Sequence, residues 1–100
     1  MYIAMNRFRI ALGKEEGFEE LWRNRDSQLD DVPGFREFRL LKGPSDEEAT
    51  LYASHTLWDS AESFENWTKS ENFRKAHAQA RAPEGTYLGH PRFEGFEAIL

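Results

Sequence analysis

The chain opens on an alternation. In YIAMNRFRI, residues 2–10, one face of an extended strand carries Tyr2, Ala4, Asn6, Phe8 and Ile10, and the other carries Ile3, Met5, Arg7 and Arg9. That period of two marks a half-buried β-strand. From Lys14 to about Leu29 the period lengthens, with Phe18, Leu21, Trp22, Arg25 and Leu29 recurring three or four apart, which predicts an amphipathic helix. Glu15, Glu16, Glu19 and Glu20 precede Arg23 and Arg25, the order that suits the helix dipole. Val32-Pro33-Gly34 then forces a turn.

A second strand is predicted over Phe35–Lys42, exposed at a sheet edge because Phe38 and Leu40 sit among charges. The polar stretch 43–48 is the hairpin loop to a third strand, Thr50–Trp58, rich in β-branched and aromatic residues. Asp59 with Glu62 reads as a capping box. It opens a second helical region that carries Phe64 and Trp67, breaks at Thr68-Lys69-Ser70, and resumes through Phe73, Ala76, His77 and Ala80. Residues 82–85 end that region, the loop TYLGHP follows, and the last strand is predicted over Arg92–Leu100.

The order β-α-β-β-α-β, without linker or repeat, predicts a single domain over residues 1–100. With right-handed crossovers this is the ferredoxin-like α+β plait, an antiparallel sheet with helices on one face. The uncovered face is partly apolar through Ile3 and Met5, so a second copy of the chain is its expected cover and a homodimer the expected assembly. Composition narrows the class. A 14% aromatic share within 39% hydrophobic residues supplies the burial that disordered chains lack. The net charge of −5 argues against a nucleic-acid partner. The absence of cysteine excludes disulfides, iron–sulfur clusters and thiolate ligation. No run approaches the ~20 apolar residues of a membrane span, so the expectation is a cytoplasmic protein with no membrane partner.

The chain has no Gly-x-Ser-x-Gly, no cysteine nucleophile and no phosphate loop. His55, His77 and His90 fall on a strand, a helix and a loop, which does not suit a multi-histidine metal site. Three residues break the pattern of their element. Asn6 sets an amide in an apolar face and must find a partner, which a neighbouring backbone group could supply, or cost about 1–3 kcal/mol. Trp67, three residues after Phe64, has the spacing of a core residue. His77 lies on an apolar helical face beside small alanines, where a lone histidine is ordinarily structural. On a continuous helix Trp67 and His77 would stand ~15 Å apart, but the break between them lets both address one broad flat molecule over the sheet. A porphyrin fits such a site, with imidazole as axial ligand and an amide donor opposite.

With these residues in view, the chain resembles the antibiotic biosynthesis monooxygenase superfamily, and within it the IsdG-type haem-degrading monooxygenases. The resemblance rests on Asn6 in AMNRF, Trp67 in FENWTKSENF and His77 in RKAHAQA, and extends over WRNRDSQL and LYASHTLWDSAESFENW. It implies a dimeric α+β barrel in which haem is both substrate and cofactor, cleaved with O2 and electrons from an external donor, with no bound flavin or nicotinamide. It further implies that His77 is the proximal iron ligand, that Asn6 donates on the distal side, and that Trp67 presses the macrocycle out of plane. Phe64 and Phe73 are pocket walls or core. Arg23, Arg25, Arg74 and Lys75 are candidate partners for the propionates, though a solvated face explains them equally well, His55 is expected to be structural, and His90 is a candidate substitute ligand. Two other readings remain open here: a cofactor-independent monooxygenase of a polyketide-like aromatic, and a non-catalytic dimeric module that binds haem or another small molecule.

Overall fold

The computed structural model describes residues 1–25, 29–71, 73–75 and 82–100. Its elements are β1 (Tyr2–Ala11), α1 (Glu15–Arg23), a short 3-10 turn (Leu29–Asp31), β2 (Phe35–Ser45), β3 (Ala49–Trp58), α2 (Ala61–Thr68) and β4 (Arg92–Glu97). The four strands form one antiparallel sheet in the order β2-β3-β1-β4. This is the ferredoxin-like α+β fold that the element order predicts, with β2 at an edge.

Register decides which side chains share a face. Asn6 pairs with Ser54 of β3 and Phe93 of β4, while Phe8 pairs with Tyr52 and Ala4 with Thr56. Directly opposed residues point the same way, so one face carries Ala4, Asn6, Phe8 and Ile10 together with Tyr52, Ser54, Thr56 and Trp58. Both helices pack on that face, and they bury it in two separate clusters. Phe8, Ile10 and Tyr52 gather around Phe18 of α1. Ala4 and Trp58 gather with Leu29 and with Trp67 of α2. Between the two clusters the sheet presents the polar pair Asn6 and Ser54.

The second helical region breaks where the sequence predicts. Lys69 caps α2, and the Ser70 hydroxyl donates to the Trp67 carbonyl at 2.6 Å while accepting from the Phe73 amide at 3.2 Å. Ser70 thereby ends one helix and caps the next, and residues 71 and 73–75 are helical again. The expected continuation through Ala76, His77 and Ala80 lies outside the described residues.

Four boundaries differ from expectation, each for a local reason. α1 stops at Arg23, capped by Asn24, and Leu29 enters the core from the 3-10 turn instead. Ser60, not Asp59, is the N-cap of α2, accepting from the Ser63 amide at 3.2 Å, because Asp59 is paired with Arg36 of β2. The hairpin loop shrinks to Asp46–Glu48, since Asp46 Oδ1 accepts from the Glu48 and Ala49 amides at 2.8 Å each and tightens the turn. Finally, β4 ends at Glu97 opposite Tyr2, where β1 runs out of partners, and Ile99 and Leu100 are exposed.

The sheet face away from the helices carries half-buried Ile3, Met5, His55 and Leu57, and the exposed Leu41 and Phe96. Among the described residues no helix is long and apolar enough to cross a membrane.

Candidate active site

The gap between the two core clusters is a cavity of about 720 Å³, within the range of roughly 300–1,000 Å³ usual for ligand sites. Its floor is the sheet at Asn6 and Ser54. The wall toward α1 is Trp22 with Arg25, and the wall toward α2 is Phe64, Trp67 and Phe73. Tyr87, His90 and Phe93 line it from the loop before β4 and from β4 itself. The lining is mostly aromatic, and its polar groups are few.

Aromatic contacts fix these walls. Trp67 is buried, perpendicular to Phe73 at a centroid distance of 4.8 Å and tilted against Trp58 at 5.4 Å. Phe64 stacks nearly parallel on Phe93 at 5.6 Å, tying α2 to β4. Trp22 stacks at 15° on Phe38 and also contacts Phe8 and Phe18. Phe64, Trp67 and Phe73 are therefore both core residues and cavity wall, so the two expectations for them are not exclusive.

Of the expected site residues, the structure brings Asn6, Phe64, Trp67 and Phe73 to one cavity. Among the described residues no group hydrogen-bonds to the Asn6 side chain, so the backbone partner that would make it merely structural is not supplied there. Its amide, with two donors and one acceptor, faces the cavity from an apolar strand face. His77 lies outside the described residues. His90 lines the cavity, whereas His55 pairs with Met5 on the opposite face and its Nδ1 is buried without a partner among the described residues. Those residues hold no cluster of three or more His, Asp or Glu placed to bind a metal ion.

The four cation candidates separate cleanly. Arg74 and Lys75 are exposed and do not line the cavity. Arg23 is engaged by Glu19 and Glu20 on the surface of α1. Arg25 alone enters, with its guanidinium carbon 4.5 Å from the Trp22 ring centroid. Burial pushes the Arg25 pKa below its ordinary value, partly offset by the neighbouring Tyr87 hydroxyl. Burial likewise raises Tyr87.

Beyond the Trp22–Phe38 stack lies a shallower cleft of about 370 Å³. Its polar groups satisfy one another, because Glu19 Oε2 accepts from the Tyr52 hydroxyl at 2.5 Å and from Lys42 Nζ at 3.1 Å. Burial, then the bond to Glu19, pushes the Tyr52 pKa up to about 12.

Ser54, Tyr87 and Phe93 are cavity residues that inspection of the sequence does not single out. Ser54 carried a faint signal as the small hydroxyl between Tyr52 and Thr56 on an otherwise bulky strand face, but only the β1–β3 register sets it beside Asn6.

Residues 1–79 match the antibiotic biosynthesis monooxygenase family. A haem-degrading monooxygenase of Halalkalibacterium halodurans is 30% identical over 84 residues, spanning 84% of this chain and 72% of that protein. The structure of the haem degrader MhuD from Mycobacterium tuberculosis, with two haems bound in its active site, superposes with a TM-score of 0.76 at 26% identity, the match covering 100% of this chain and 97% of that one. SnoaB, a cofactor-independent oxygenase from Streptomyces nogalater, shares the fold with a TM-score of 0.67 at 14% identity over 99% and 94% of the two chains. The chain thus belongs to the antibiotic biosynthesis monooxygenase family, and among its members it is similar to the IsdG-type haem-degrading monooxygenases.

Proposed function

We propose that this protein is a haem-degrading monooxygenase that cleaves the porphyrin ring with O2 and releases its iron. The observation that carries this reading is the cavity between two aromatic cores, with the Asn6 amide set in its floor and free of described protein partners. The similarity to a haem-degrading monooxygenase and to haem-bound MhuD supports haem as the occupant. The cavity fits the group chemically, offering apolar aromatic walls for the macrocycle and one cation for its acidic side chains.

Bound haem supplies the iron that activates O2 and the ring that is oxidised. Asn6 would hold its amide N–H donor toward bound O2 and orient it. Trp67, backed by Trp58 and Phe73, would set an aromatic wall against the macrocycle. Phe64 and Phe73 exclude water. His77 would hold the haem iron through a neutral imidazole nitrogen. Electrons come from an external donor.

Titrating the purified protein with hemin should shift the Soret band, and His77→Ala should abolish that shift. A wild-type protein that leaves the Soret band unmoved overturns the proposal and favours oxidation of a polyketide-like aromatic, whose phenolic oxygens the Asn6–Ser54 pair suits.

The helix-free sheet face, with Ile3, Met5, Leu57 and the exposed Phe96 and Leu41, closes against a second copy to complete the dimeric barrel. Sedimentation equilibrium at micromolar concentration should return twice the mass of the chain, and Phe96→Glu should return the chain mass. A wild-type monomer under those conditions removes the dimer from the proposal.

A further inference from the structure

The sheet face that no described helix covers has a histidine at its centre. His55 pairs with Met5 of β1 on one side and with Arg39 of β2 on the other, among the apolar Ile3 and Leu57. Its Nδ1 is sealed from solvent and makes no hydrogen bond among the described residues. The charges around it are engaged elsewhere. On β1, Arg7 pairs with Glu94 of β4, and Arg9 with Asp46 and Glu48 at 3.6 and 3.5 Å. On β2, Arg39 pairs with Glu37 at 2.6 Å. Arg92 of β4, opposite Arg7, completes the set. His55 thus sits inside a ring of charges, and no described carboxylate pairs with it.

A neutral imidazole has one N–H donor and one acceptor, whereas the charged ring has two donors and a full positive charge. With Nδ1 sealed, the second donor has nothing to reach, and the neighbouring guanidiniums oppose a further cation. In a single copy the exposed side of the half-buried ring still meets water, which can solvate the charge. A second copy laid over the face removes that water, and desolvation disfavours the charged form. The dimer then holds fewer protons than two separate copies, so by linkage its dissociation constant rises as pH falls. We propose that His55 is a proton-sensitive lock between two copies of the chain, closed while the ring is neutral and opened when it is charged. The Met5–His55 pair is next to the Asn6–Ser54 pair and on the opposite face, which puts the lock directly behind the cavity floor. This rests on the reading of that face as the dimer interface, and the test tells the two apart.

Fluorescence-detected sedimentation of the full chain gives the dimer dissociation constant between about pH 7.5 and about pH 5.5, a window in which imidazoles change charge while carboxylates do so mainly below it and α-amino groups mainly above it. One proton excluded per copy is two per dimer, so the wild-type constant should rise about a hundredfold across the window. His55→Gln, neutral throughout, should stay within about threefold over the same range. His55→Leu should be equally flat and should dimerise more tightly than the wild type at the acid end. His90→Gln should keep the full wild-type dependence, which separates His55 from a histidine outside the interface. Urea midpoints at each pH identify a variant that has lost its fold, and either His55 variant alone suffices to decide. A wild-type dimer whose constant moves less than about threefold overturns the lock and leaves the dimer standing. So does a folded His55→Gln or His55→Leu protein that keeps the wild-type dependence. A wild-type monomer at every pH overturns the dimer reading and the lock with it.

Discussion

Replacing Trp58 by alanine is expected to lower the unfolding free energy by about 3–5 kcal/mol, the usual cost of emptying a fully buried aromatic site. Trp58 has no exposed surface, and its indole joins elements far apart in sequence. The ring meets Phe35 of β2 at 72°, Phe64 of α2 at 67° and Trp67 at 35°, all at 5.4–5.7 Å. Its Nε1 donates to Thr56 Oγ1 at 2.9 Å, and that hydroxyl donates to the Ala4 carbonyl at 3.3 Å. One truncation therefore empties the joint between edge strand, central strands and α2, and it unseats the Trp67 wall. Domains of this size are stable by only about 5–15 kcal/mol, so a large part of the total would go. Trp58→Phe keeps most of the ring contacts and loses only the indole donor, and should cost about 1–2 kcal/mol. Urea denaturation of the three proteins at one pH measures both. A loss below about 1 kcal/mol for the alanine variant would mean that α2 is not anchored through this ring.

The alternation of β1 was enough to read its buried face, and Asn6 stood out on it because an amide interrupts apolar neighbours at a fixed period. The break in the second helical region was equally legible, since Thr68-Lys69-Ser70 combines a C-terminal lysine with a serine that can cap the next turn. What escaped depended on contacts between elements. Asp59 and Ser60 are adjacent and both competent N-caps, and only Arg36 across the sheet removes the first from contention. The end of β4 is set by where β1 begins, a fact about the partner strand and not about RFEGFEAIL itself. Ser54 becomes a site residue through a register that nothing within TLYASHTLW specifies. Arg25 looked like one solvated cation among four, and only the early end of α1 and its stacking on Trp22 distinguish it from Arg23 two residues before. Local periodicity thus located the strands and the break, whereas the cavity, which exists because the core divides in two, is a product of packing.

Replacing Asn6 by alanine is expected to slow haem breakdown about a hundred- to a thousandfold, the cost of deleting a preorganised donor from a dry site, without weakening haem binding more than about threefold. The two effects separate because the amide makes no hydrogen bond to any described protein group, so its removal strands no buried partner. The aromatic walls of the cavity are untouched. For the same reason the urea midpoint should stay where it is, which a structural asparagine would not permit. Ser54 faces Asn6 across the β1–β3 pair and offers one hydroxyl donor in place of the amide's two, so the residual rate of Asn6→Ala should drop again in Asn6→Ala/Ser54→Ala. Soret bleaching and iron release with ascorbate as reductant give the rates, and the hemin titration gives the binding. An Asn6→Ala protein that bleaches haem within about threefold of the wild-type rate would take the amide out of the chemistry and leave it as a polar residue that happens to face the cavity.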